Sequence, residues 1–295
     1  MSMSTAIDRS FLKGETNGGV CEGAMMPTGE DSWKAINLGN GIYMLEVDGG
    51  NPGGNLSLLL GDEGVVLIDN GLEKAAQMTL ETTEKMTNDP VKFVINTHLH
   101  ADHLACNPIY AATGATIIAH DNTRRALLAD EEFDSAGLPG LTFNDTATLH
   151  LNGQTLELFH IPNAHTNSDI IIHFTDANVI HAGDIFFNKV FPFIDVINGG
   201  NLDAFIAAQQ QIIELTDENT KIIPGHGPLG NKTDMQTAVD MLIDVKACVK
   251  SLVDEGMSME EVLRESPLAA FEKWAWFHIN IERMTKVIYC LLTED

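Results

Sequence analysis

From about Trp33 onward, short apolar runs closed off by Gly, Asn and Asp alternate with longer stretches of helical spacing. The short runs predict strands at Gly41 to Val47, Asn55 to Leu60, Val65 to Ile68 and Val91 to Ile95. Between and after them, apolar residues recurring every three or four positions predict helices over Leu72 to Met86, His103 to Ala112 and Asn122 to Ala129. A second set of strands is expected at Ala147 to Leu151, Thr155 to His160, Asp169 to Phe174, Val179 to His181 and Lys221 to Ile223, with a helix over Leu202 to Leu215. Strands, helices, strands and helices in that order fit an α/β (α+β) protein in which two sheets pack face to face with helices outside, a four-layer αββα sandwich. Near the end, Ser258 to Glu261 reads as a capping box, and Trp274, Phe277, Ile281, Met284, Ile288 and Leu291 form a stripe that suits core or an oligomer contact.

Residues 1–31 lack periodicity and are expected to be a flexible arm, leaving 32–295 as the folded unit with a C-terminal helical extension. The chain has 295 residues, 44% of them hydrophobic, enough for a sizeable core. A formal charge of -25 and no basic run longer than Arg124-Arg125 exclude the counterion-release term that drives nucleic-acid binding. No apolar run reaches the roughly 18 residues of a membrane span, and no secretory h-region opens the sequence, so a cytoplasmic protein with no membrane partner is expected. Cys21, Cys106, Cys248 and Cys290 include no C-x-x-C pair and are read as free thiols.

The segment Thr97-His98-Leu99-His100-Ala101-Asp102-His103, directly after an apolar strand, concentrates three imidazoles and a carboxylate. Random placement at this composition produces that arrangement in roughly one chain per thousand. Neutral imidazole and carboxylate suit Zn²⁺, and alternating side chains on a tight loop can give His98 and His100 to one ion while Asp102 and His103 serve another. One loop cannot complete such a site. Further ligands stand next to later strands and small residues: His165 in Ala164-His165-Thr166, Asp184 in Gly183-Asp184, and His226 in Gly225-His226-Gly227.

The order H-x-H-x-D-H, H-T, G-D, G-H resembles the metallo-β-lactamase superfamily over about Trp33 to Pro228. The resemblance implies an αββα sandwich with two Zn²⁺ ions per chain at one edge, iron or manganese being the alternatives. It implies His98, His100 and His165 around one metal, Asp102, His103 and His226 around the other, Asp184 bridging them, and Asp69 orienting a ligand histidine. Two such metals can share a water and make hydroxide available at neutral pH. The expected enzyme is therefore a zinc-dependent hydrolase whose metal-bridging hydroxide attacks an ester, lactone, thioester or β-lactam carbonyl, with Asp102 and Asp184 as catalytic residues. Its partner is a small-molecule substrate.

Branch-specific residues narrow this expectation. Asp184 stands where one lactamase class has cysteine, Phe187 where that class has a carboxylate-binding lysine, and Gly225-His226-Gly227-Pro228 differs from the G-H-E-Y of glyoxalase II. An esterase or lactonase is favoured; β-lactamase activity, a mononuclear-iron persulfide dioxygenase, a phosphodiesterase and a non-catalytic metal-binding module are the alternatives. Phe186, Phe187, Phe191 and Phe193 suit either a pocket lining or the core, and Lys189 and Asn201 are candidate contacts to a substrate oxygen or carboxylate. The Gly-rich stretch Asp48 to Asn55 reads as a hairpin loop flanking the metals, and the C-terminal helix or N-terminal arm as a surface for a homo-oligomer. His120, His150, His160, His173, His181 and His278 are read as structural.

Overall fold

The computed structural model describes residues 32–47 and 53–293; the N-terminal arm and most of the Gly-rich loop lie outside the described residues. One sheet contains seven strands in sequence order, β1 (Trp33–Gly39), β2 (Ile42–Val47), β3 (Leu56–Leu59), β4 (Val65–Ile68), β5 (Val91–Ile95), β6 (Thr116–His120) and β7 (Leu141–Phe143). It begins as an antiparallel meander and turns parallel from β4 onward. The other sheet is formed by β8 (Thr146–Leu151), β9 (Gln154–His160), β10 (Ile170–Phe174), β11 (Val179–Phe187), β12 (Lys221–His226) and β13 (Gly230–Asn231), with β11 and β12 parallel.

Period-two alternation distributes each strand's side chains between two cores. Val66 and Ile68 join Ile170, Ile172 and Phe174 in the cluster between the sheets. Val65 and Leu67 point the other way, into a cluster with Ala75 and Ala76 at the start of α1 (Ala76–Met86) and with Cys106 and Tyr110 at the cap and in the body of α3 (Asn107–Ala112); the one-turn helix α2 (Ala101–Leu104) directly precedes that cap in the chain. Every residue of β4 is therefore fully buried, as expected of a strand covered on both faces. Each such side chain contributes about 1.5–3 kcal/mol from burial. Behind the second sheet, Ile171, Ile180 and Ile222 pack on α5 (Leu202–Glu214), α6 (Lys232–Asp254), α7 (Met259–Glu265) and α8 (Ile281–Thr293). α4 (Asp121–Ala129) follows β6. Helix, sheet, sheet and helix are the four layers.

Several elements differ from the sequence expectation. The single helix expected over His103 to Ala112 is two short ones, because Pro108 has no N–H to donate to the Leu104 carbonyl. β6 and β7 extend the first sheet where no strand is predicted, and β11 continues to Phe187 through two register shifts against β12 instead of ending at His181. The C-terminal stripe is not one helix. Met284 and Ile288 are buried on α8 within this chain's own core, whereas Trp274 ends a 3-10 turn and Phe277 lies on the connection between them, 58% exposed.

Candidate metal centre

Seven side chains converge from the loop and one-turn helix after β5, from Asp184 within β11, from His226 at the end of β12 and from His165 in the β9–β10 connection. Their ligand atoms form two groups, each with all atoms within 4.8 Å of one another: His98, His100, His165 and Asp184, and Asp102, His103 and His226. His98 lies in the loop after β5, His100 is the N-cap of α2, and Asp102 and His103 occupy that one-turn helix. The structure thus brings together all seven residues singled out as ligands.

Hydrogen bonds on the outer side of the rings decide which nitrogens face inward. The His165 Nδ1–H donates to the Phe193 carbonyl at 2.7 Å, and the His100 Nε2–H to Asp195 Oδ2 at 2.9 Å. A carbonyl and a carboxylate only accept, so each ring presents its unprotonated nitrogen to the interior. There His100 Nδ1 lies 2.8 Å from His165 Nε2 and 3.1 Å from His98 Nε2. Lone pairs aimed at one another at this range repel unless a proton or a metal ion lies between them, and neutral imidazole with carboxylate is the donor set of Zn²⁺ and similar divalent metals.

In the second group, His103 Nδ1 donates to Asp69 Oδ2 at 2.7 Å, leaving Nε2 directed at Asp184 Oδ1, 3.1 Å away. Among the described residues neither of those buried inner atoms has a hydrogen-bond partner, a costly arrangement that a metal ion would relieve. Asp184 Oδ2 is 3.4 Å from both His165 and His226 Nε2, so this carboxylate stands between the groups. His226 Nε2 is also 3.3 Å from Asp102 Oδ2. Burial pushes His165 down to about 4, while His226, despite burial, is raised to about 9 by Asp184 and Asp102.

Asp69 is the hub behind the centre. Fully buried, it accepts from the backbone N–H and hydroxyl of Thr97 as well as from His103, and its backbone is held at φ 55°, a conformation rare outside Gly. Two glycines mark where the backbone passes closest. A methyl on Gly54 would overlap the His103 ring, and one on Gly225 would overlap Asp184 Oδ1. Asp169 organises the loop of His165 by accepting from the backbone N–H groups of His165 and Thr166.

Of the candidate substrate contacts, Phe187 lies against the ligand rings. Asn201 caps α5, its side-chain oxygen accepting from the backbone N–H groups of Asp203 and Ala204. Lys189 is exposed in a left-handed turn after β11. Phe187 is buried and stacks on His226, ring centroids 5.0 Å apart at 15°; Phe186 and Phe191 belong to the core. Sequence reasoning missed Asp195 and Trp276. The former sits among Phe193, Ile194 and Val196 with no motif around it, and the latter falls outside the apolar stripe.

The model of the metallo-beta-lactamase superfamily matches residues 49–226. The chain belongs to that superfamily. A hydroxyacylglutathione hydrolase of Nitrosococcus oceani is 30% identical over 176 residues, 56% of this chain and 62% of that protein. The match thus spans less than two thirds of that relative's length. A metallo-beta-lactamase type 2 of Bacillus cereus is 22% identical, covering 61% of this chain and 69% of that protein. In fold, the chain is similar to a metallo-beta-lactamase from Pontibacter korlensis, with a TM-score of 0.60 at 19% identity over 72% of this chain and 100% of that one.

Proposed function

We propose that this protein is a binuclear zinc hydrolase acting on a carboxylic ester, lactone, thioester or strained amide. The reading rests on one observation: two adjacent ligand groups meet at Asp184, and the His100 and His165 rings of the first turn unprotonated nitrogens inward. When bound, the two ions supply an activated water and polarise the scissile carbonyl. The chain's own residues do the rest. Asp184 lies between the groups and fixes their separation; Thr97, Asp195 and the Phe193 carbonyl hold the imidazoles of His98, His100 and His165 in register. Asp102, at 27% the most exposed of the seven, is placed to accept and return a proton at Oδ2.

The bacterial relative named for hydroxyacylglutathione supports including a thioester among the substrates tried, and the lactamase relative a β-lactam. The test is metal analysis of protein purified without added metal, together with a hydrolysis screen of activated esters, lactones, a thioester and a cephalosporin. Two zinc ions per chain with turnover of one of these classes is the expected result. A single iron with oxygen consumption and no hydrolysis would overturn it.

A further inference from the structure

The metal centre is not evenly open. His98, His103 and His165 are almost wholly buried, and access runs past Asp102, His100 and His226, of which the last two are 14% and 13% exposed. Both of those histidines meet aromatic rings. His226 lies between Phe187, 5.0 Å away, and Trp276, 5.5 Å away; His100 faces Phe193 at 5.7 Å. The rings continue from one to the next: Trp276 to His278 at 5.6 Å, His278 to Phe193 at 5.5 Å, Phe193 to His165 at 5.8 Å, and His165 to Phe187 at 6.0 Å. They close a circuit of six rings against one side of the centre, with Phe277 at its rim, 4.9 Å from Trp276 and 58% exposed.

The outer arc comes from the connection between the 3-10 turn Ala269–Trp274 and α8, beyond the part of the chain matched by the superfamily model. It is fixed in place. Trp276 Nε1 donates to the Phe191 carbonyl, Phe191 N donates to the Trp274 carbonyl, and Arg283 Nη1 donates to the His278 carbonyl while its guanidinium lies 5.2 Å from the Phe193 ring centroid. A wall of preorganised rings, already constrained before a ligand arrives, favours a flat apolar group and gives little to a small polar one.

We propose that Trp276, with Phe277 and His278, forms the specificity wall of the metal centre and selects substrates carrying an aromatic or similarly flat apolar group next to the scissile carbonyl. The proposal rests on the hydrolase reading for the reaction, but its test is a binding ratio. Phenylacetate and acetate share a carboxylate that mimics the hydrolysis product and differ in the ring. Calorimetric titration of zinc-loaded protein is expected to give phenylacetate about tenfold tighter binding than acetate. Trp276→Ala, titrated after reloading with zinc and at a measured zinc content equal to wild type, should bring that ratio to within about threefold, and Trp276→Phe should restore most of it. Because Trp276 also anchors its own loop, Phe277→Ala, made at an exposed ring, provides a second variant and should lower the ratio about twofold to threefold. A wild-type ratio near one, or a ratio preserved in both alanine variants, would overturn the proposal. Failure to turn over any ester, lactone, thioester or lactam would instead count against the hydrolase reading and leave the binding ratio intact.

Discussion

The two ligand groups are held in different ways. In the first, each imidazole is backed by its own hydrogen-bond partner: Thr97 for His98, Asp195 for His100 and the Phe193 carbonyl for His165. In the second, among the described residues, only His103 has such backing, from Asp69; His226 is held by packing between Phe187 and Trp276, and Asp102 is the most exposed member. Backed ligands are preorganised, so the first group should bind its metal more tightly.

The strongest way to break this contrast is to remove the carboxylate that both groups share. Asp184→Ala should lower kcat/KM by about 10²–10³-fold and reduce metal content in both groups together. Loss of one metal alone, read by mass spectrometry, would show that the groups do not depend on it equally. A second test lies behind the second group, where burial pushes His181 down to about 4 from an ordinary 6.5. Between those values the unfolded chain binds the extra proton, so this contribution to stability is complete above about pH 6.5 and is lost as pH falls toward 4. His181→Asn keeps an acceptor for the Gly183 N–H but does not titrate. It should remove up to about 3 kcal/mol of the difference in urea stability between neutral and acidic pH.

The contrast is sharpened by paired variants. Asp195→Ala should weaken the tightly held metal by about 10–100-fold, whereas Asp102→Asn should weaken only the other, as resolved by stepwise chelator titration. If both variants lose the same ion, the ranking of the groups is wrong. The smallest effect is expected at Asn201, far from both groups in role: Asn201→Ala should cost about 1 kcal/mol of stability as a lost cap and leave KM within about threefold. A larger change in KM would support its reading as a substrate contact.

The contiguous part of the centre was legible because alternation over seven residues is local: His98, His100, Asp102 and His103 sit on one loop and one turn of helix. His165, Asp184 and His226 were legible through the small residues beside them, and Gly225 shows why, since even a methyl there would displace Asp184. Asp195 was not legible, because its partner His100 is 95 residues away and only the packing of the two sheets brings them together. The strand β7 is too short for alternation to register, and β6 lies directly before a helix whose spacing dominates the local pattern. Trp276 was hidden by its neighbours: Trp274 and Phe277 share helical spacing with Ile281, yet Ala275 is already extended at ψ 144° and carries the chain out of any helix.

Asp184 and His226 come from the second sheet, and His98 to His103 from a loop of the first. Any ion they hold in common is therefore a cross-link between the two halves of the sandwich, closing a span of sequence from His98 to His226. Folding and ion uptake then become a single equilibrium, and the melting temperature of this protein should report the free metal concentration around it, rising by the equivalent of about 2.7 kcal/mol when that concentration reaches a hundred times the dissociation constant.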